Sequence, residues 1–379
     1  MDETDAETPD QLAGATSKAV RELLAAVGGL EGRLRDGDRA LEDERDLLEG
    51  YRWMFSILQV GVDAFVWADA ARPRFVEIVG PTKKWGGDNS DAYYRYAPVD
   101  PATTYRVSGR RGDAVYFSLT VYGGPRDGRY SERIVASINE RDLSFGPDGT
   151  FEFTLSPEEH DATPWLRLEP DAVCAITRDY LEDPEHGQRM EWQIEAIGAD
   201  PQGWDVDDEE LARRFRAATT WVDEQAAIVP VKLADPNTMA DPYPVPRQTF
   251  GWAAGDASYA MGSFDLAPDE ALVIEGRSPE NAFWNCCLWN ELLHTFDYAY
   301  ATTPSAGDGS GRVTINGAQT TLEADGSWRI VVSEQDPGLP NWLWTQGHRH
   351  GLIWFRWFLP VATPDPLTTR VVKVADLRP

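Results

Sequence analysis

The chain has 379 residues, 42% apolar and 11% aromatic with 15 Trp, enough to fold around a sizeable core and to make two domains. A net charge of −28, with only five Lys among 35 cations, argues against nucleic acid and anionic membrane surfaces as partners. Three Cys make no disulfide framework, no apolar run reaches membrane-spanning length, and MDETDAETPDQ has neither a basic n-region nor an apolar h-region, so no signal peptide, no membrane and a reducing cytoplasm are expected.

Residues 1–10 are acidic and read as disordered. From Thr16, the apolar positions Val20, Leu23, Leu24, Val27, Leu30 and Leu34 follow a helical period. Asp36-Gly37-Asp38 breaks that helix, and Asp38 is the expected N-cap of a second one running to about Asp69. The second helix turns strongly apolar after Trp53. It reads as a lid on the body, or as a homo-oligomer contact. Residues 73–229 then read as a first β-rich lobe. Its strands are expected at Arg74–Val79, Thr104–Ser108, Ala114–Tyr122, Glu132–Ile138, Phe151–Leu155, Ala172–Asp179 and Met190–Ile197, with a closing helix over Asp207–Ala227. A Pro-rich connector, 230–246, is placed as the boundary to a second lobe, 247–379. There strands are expected at Ser258–Phe264, Ala271–Glu275, Ala282–Trp289, Arg312–Ile315, Trp328–Val332, Leu352–Phe358 and Val371–Val374, with a flexible loop over Thr302–Gly311. The fold class is α+β, mainly β: two antiparallel sandwich-like lobes, an N-terminal helical segment (1–72) and a linking helix.

The richest stretch is Asn341-Trp-Leu-Trp-Thr-Gln-Gly-His-Arg-His350, followed by an apolar run from Leu352 to Leu359 that holds one cation, Arg356. The run reads as a central strand, and a cation inside it needs a partner; Glu275 and Asp297 are the candidates. His348 and His350, two apart on a strand, would share a face, as metal ligands often do, or serve as a single catalytic, anchoring or structural histidine at 348. Trp284-Asn-Cys-Cys-Leu-Trp-Asn-Glu291 puts amides in an apolar strand, where they must be satisfied by backbone, water or ligand. Trp85, Tyr93, Tyr94 and Tyr96 lie in what reads as one long loop, with Asp100 and Arg106 a candidate buried pair. Tyr116, Ser118, Thr120 and Tyr122 read as the solvent face of a strand. No nucleophile elbow, zinc-protease or dinucleotide motif is present.

Several segments together resemble a known family. They are Glu49-Gly-Tyr-Arg52, Gly80-Pro-Thr-Lys-Lys-Trp-Gly-Gly-Asp-Asn89, Tyr93-Tyr-Arg-Tyr-Ala-Pro-Val-Asp-Pro101, Tyr105-Arg-Val-Ser-Gly-Arg-Arg-Gly-Asp113, Val121-Tyr-Gly-Gly124, and Asn341-Trp-Leu through Arg356-Trp357. Over roughly 49–360 the chain looks like the actinobacterial branch of the domain-of-unknown-function twelve-fourteen family, departing from its pattern at Trp344 and Asn285-Cys-Cys287. The resemblance implies a bacterial protein with two β-rich lobes and brings no activity.

The functional expectation is a cofactor-independent enzyme acting on a small apolar or ring-containing metabolite, with no metal. His348 would be the general acid or base, Asp297 or Glu275 its orienter, and Arg356 an anion anchor. Trp85, Tyr93, Trp289, Asn290 and Trp342 would line the substrate pocket. The alternative is a non-catalytic carbohydrate- or lipid-binding protein.

Overall fold

The structure, a computed structural model, describes residues 13–37, 39–160, 164–198, 206–249, 251–298 and 312–377. The expected disorder at 1–10, the Asp38 cap and the loop Thr302–Gly311 lie outside these residues. Helix α1 (Gly14–Arg35) buries Leu23, Val27, Leu30 and Leu34 at helical spacing and ends before Asp36-Gly37. Helix α2 (Glu44–Gly61) starts later than expected, because Asp43 supplies the cap by accepting from the Asp46 N–H at 2.8 Å. It also ends earlier, in a π-helical turn at Val62–Val66. Helix α3 (Asp208–Ile228) is capped by Asp207 and packs along α1 and α2, with the Trp221 indole donating to the Ile57 carbonyl at 2.9 Å. Among the described residues no helix is long and apolar enough to cross a membrane.

The rest is mainly antiparallel β, in two sandwich-like lobes. A five-stranded sheet runs in the order Val76–Val79, Ala92–Pro98, Ala172–Tyr180, Tyr116–Gly123, Arg133–Asn139. A four-stranded sheet built around Thr104–Arg110 covers one face of it, and Phe117, Leu119 and Val121 meet Tyr105, Val107 and Phe153 in the core between them. In the second lobe His350–Phe358 lies between Ala257–Asp265 and Phe283–Asn290, so the apolar run is indeed a central strand. A four-stranded sheet containing Glu270–Gly276 and Trp328–Ser333 packs on it through Ile274, Ile330, Ile353 and Phe355. A third core fills the space between the lobes and the helices.

That third core overturns several sequence expectations. The strand Tyr116–Gly123 is buried on both faces, so Tyr116, Ser118, Thr120 and Tyr122 do not meet solvent. Tyr93, Tyr94 and Tyr96 belong to the strand Ala92–Pro98, since the aromatic run pairs with Ala172–Tyr180 instead of looping out. Arg106 is exposed and meets Glu195 and Glu152, whereas Asp100 faces Arg126.

Residues 80–91 form a wedge driven from the first lobe into the second. Lys84 Nζ donates to the carbonyls of Thr295 and Phe296 at 2.8 and 3.0 Å. The Thr295 N–H donates to Asp88 Oδ1 at 2.7 Å, and Arg356 donates to the carbonyls of Gly87 and Asp88 at 2.6 and 3.2 Å. Asn285 Nδ2 donates to Asn89 Oδ1 and Asp91 Oδ2 at 2.7 and 2.8 Å. Gly87 has φ +82, and a Cβ there would meet the Trp289 ring at 2.7 Å, so only glycine fits beneath that indole. The wedge acids are buried. Burial raises Asp88 and pushes Asp91 up to about 6, against the opposing pull of Asn285 and other donors.

Asn285→Ala strips two buried oxygens, one on a carboxyl group, of their shared donor. It is expected to lower stability by about 2–4 kcal/mol in urea unfolding, and a variant as stable as the parent would refute the wedge's role.

Candidate functional site

A cavity of about 470 Å³ opens beside the wedge, walled by both lobes, by α2 and α3, and by the segment after α3. Five tryptophans line it: Trp53 from α2, Trp85 from the wedge, Trp252, and Trp289 and Trp354 from the second lobe. Five tyrosines join them: Tyr94 and Tyr180 on the first lobe's sheet, Tyr259 on the second's, and Tyr130 and Tyr243 from loop and connector. Trp289 and Trp354 stack at 4.9 Å. The Trp85 and Trp252 rings meet edge to face at 5.7 Å. Among the described residues the only charged side chains in the wall are Arg178 and Arg356.

Both arginines come from central strands and both are buried. Arg178 donates to the Trp252 carbonyl, to the Tyr122 hydroxyl at 2.8 Å and to Thr120 Oγ1 at 3.4 Å, with Tyr94 and Tyr122 rings under its guanidinium. Asp179, next in sequence, lies on the opposite face of the strand and meets Arg95 at 3.4 Å. Arg356 holds the wedge carbonyls, reaches Cys287 Sγ at 3.6 Å and lies 4.8 Å over the Trp289 ring. No carboxylate oxygen of the described residues lies within 4 Å of either guanidinium. The phenols around them are protonated donors at neutral pH. Burial raises Tyr94 and Tyr180, and it pushes Tyr122 up to about 12 even though Arg178 pulls the other way.

Of the residues singled out in the sequence, Trp85, Tyr94, Trp289 and Arg356 line the cavity and the others do not. Arg356 is buried as expected, but its partners are backbone carbonyls, not Glu275 or Asp297. Glu275 is half-exposed on another sheet, beside Arg329 and Arg370 at 3.1 and 3.7 Å. Asp297 is held through its backbone by Gln346. Tyr93 lies under the Arg189 guanidinium and donates to the Pro184 carbonyl, and the Trp342 indole donates to the Ser333 carbonyl at 3.1 Å. Arg178, Trp252, Tyr259 and Trp354 were missed. For Arg178 the signal was present: a cation inside the apolar strand Ala172–Tyr180, read by the same rule as Arg356.

His348 belongs to a separate cluster. The strand begins only at His350, so the two histidines do not form a pair on one strand face. His348 lies in the preceding turn, stacked on Phe296 at 4.0 Å. Its Nδ1 is 3.2 Å from Asp46 Oδ1, and its Nε2 is 3.3 Å from Glu49 Oε1, off the line of a good hydrogen bond. Asn290 donates to Glu49, while His350 lies between Asp46 and Glu291 at 3.6 and 3.5 Å. The side chains of Asp46, Glu49 and His348, and of Asp43, Asp46 and His350, place one potential metal-ligand atom each within 4.8 Å of one another. The neighbouring His294 is pushed down to about 3 by burial and by Lys84, so it stays neutral. Burial pushes the Cys287 thiol up to about 12, and Cys286 also rises, which removes a thiolate nucleophile.

This cluster ties α2 to the second lobe by charge. Burial disfavours the His348 cation, yet Asp46 and Glu49 outweigh it and raise the imidazole above its usual 6.5. Burial also opposes the Glu49 carboxylate, yet His348 and Asn290 bring it from 4.5 to about 2. The raised histidine stabilises the fold below 6.5 and loses that contribution as pH climbs through its folded value. The depressed Glu49 stabilises above 4.5 and loses its contribution as pH falls towards 2. The clasp is therefore at full strength between those two unfolded values. The stability difference between wild type and His348→Gln is expected to be larger at about pH 5.5 than at about pH 9. An equal difference at both would show that the fold does not raise the His348 pKa.

A comparison with curated proteins gave no match. A crystal structure of an uncharacterized protein from Burkholderia cenocepacia superposes with a TM-score of 0.81 at 28% identity, over 96% of this chain and 99% of that one. A second crystal structure, of a protein from Vibrio parahaemolyticus, reaches a TM-score of 0.46 at 13% identity over 85% of this chain and 98% of that one, too loose a likeness to carry an argument. The family model described as protein of unknown function (DUF1214) matches residues 92–184 and 264–362, the two stretches that supply most strands of both lobes and, in Tyr94, Arg178, Trp289 and Arg356, much of the cavity wall. Matched over more than half of its length, the chain belongs to the DUF1214 family.

Proposed function

We propose that this protein binds a small, ring-containing ligand in the cavity between its lobes. One observation carries the reading: ten aromatic side chains from distant parts of the chain converge on a space of about 470 Å³, within the size range of small-molecule sites. The rings wall a concave space, which suits a compact ring system better than a sugar laid along an exposed aromatic strip. The position of His348, paired with two carboxylates in another cluster, removes the main support for acid–base catalysis by that residue. A second reading, an enzyme working by electrostatic stabilisation, draws on the two guanidiniums, which would face a developing oxyanion.

Neutral N-phenyl-1-naphthylamine is expected to quench tryptophan fluorescence on binding. Trp354→Ala should weaken that binding about fivefold to tenfold, the size of one lost aromatic contact. Trp342→Ala and His348→Ala, both away from the cavity, should leave it unchanged. No quenching, or equal losses in all three variants, would sink the proposal.

A further inference from the structure

We propose that the ligand of this cavity is an organic anion, its carboxylate or equivalent acidic group seated between Arg178 and Arg356 and its ring among the tryptophans. This rests on the binding reading above and names the class of molecule bound. Each lobe presents the same device to the cavity. Tyr94 and Arg178 are direct cross-strand partners in the first lobe's sheet, and Tyr259 and Arg356 are direct partners in the second's. A guanidinium has five N–H donors and is always charged. Three hydrogen bonds are made by each of these, to neutral oxygen or sulfur acceptors, so each keeps unused donors among the described residues.

The compensation differs between the two. Arg356 still feels the buried Asp88 and Asp91 through space, with Lys84 nearby as a further cation. Apart from burial, the groups that act most strongly on Arg178 are the phenols of Tyr122, Tyr180, Tyr259 and Tyr94. Two buried cations beside one cavity, one with no acidic partner among the described residues, carry a desolvation cost that a bound anion would offset.

The neutral groups around them also donate. Tyr94 and Tyr180 share one hydrogen bond at 2.9 Å, which consumes only one of their two hydroxyl protons. The lining is therefore rich in donors, and a ligand that supplies acceptors and negative charge complements it. The chain's net charge of −28 works against an approaching anion, so the affinity must come from these local groups.

The test compares naphthalene-2-carboxylate with the isosteric, neutral naphthalene-2-carboxamide by calorimetry on the full chain. Wild type is expected to bind the carboxylate at least tenfold more tightly. Arg178→Met should bring the carboxylate down to the affinity of the carboxamide while leaving the carboxamide unaffected. Equal binding of both probes by wild type, an outcome independent of any variant's folding, would overturn the anion inference and leave the cavity reading standing. Parallel loss of both probes in a folded Arg178→Met would overturn the assignment of Arg178. Binding of neither probe by wild type would remove the cavity reading itself.

Discussion

The architecture depends on a buried polar wedge. Residues 80–91 leave the first lobe and enter the second, where Lys84, Asp88, Asn89 and Asp91 are buried. Lys84, Asp88, Asn89 and Asp91 cannot be buried there on their own terms; each would be strongly unfavourable without a partner. Their partners are carbonyls at Thr295 and Phe296, the Thr295 N–H, and Asn285. Such a network is sensitive to register. Apolar surfaces of two sandwiches can slide past each other at little loss, but directional bonds to a charged group cannot.

Arg356 shows how the wedge and the cavity are linked. One guanidinium amino group bonds the wedge carbonyls, while the side chain lies over Trp289 and borders the cavity. The wedge glycine that those bonds fix is the one that lets the Trp289 ring pack against the backbone. The geometry of the aromatic wall is therefore set by the same contacts that hold the lobes together. The histidine cluster makes a second tie, between α2 and the second lobe, and α2 in turn contributes Trp53 to the wall. The cavity lies among elements that are each pinned by charge or by directional bonds, a suitable setting for a preorganised ligand site.

Much of the fold was legible because burial leaves a period in the sequence. The helical spacing of Leu23, Val27, Leu30 and Leu34 and the apolar run of the His350–Phe358 strand both survive into the structure. Errors arose where a second buried surface hid the period. In Tyr116–Gly123 alternate hydroxyl-bearing residues read as a wet face, yet all are buried, and the Thr120 and Tyr122 hydroxyls accept from Arg178. The Ala92–Pro98 strand, set between Asn89-Ser90-Asp91 and Asp100-Pro101, read as a loop because turn residues at its ends masked a short aromatic strand. Of the site, Trp85, Tyr94, Trp289 and Arg356 were legible, and Arg178 would have been by the same reasoning.

What the sequence by itself determined is local: which segments are apolar enough to be central strands, that the first helix breaks at Asp36-Gly37, and that a cation embedded in such a strand must be buried and answered. Those follow from nearest neighbours along the chain. The tertiary structure alone decided which groups answer. His348 meets Asp46 and Glu49, more than 290 positions away; Arg356 meets the backbone of the wedge; Arg178 and Arg356, from different lobes, face the same cavity. Sequence spacing carries no information about such encounters. They depend on how the two sandwiches dock, and that docking is set by the buried polar wedge, whose partners are recognisable only once the lobes are side by side.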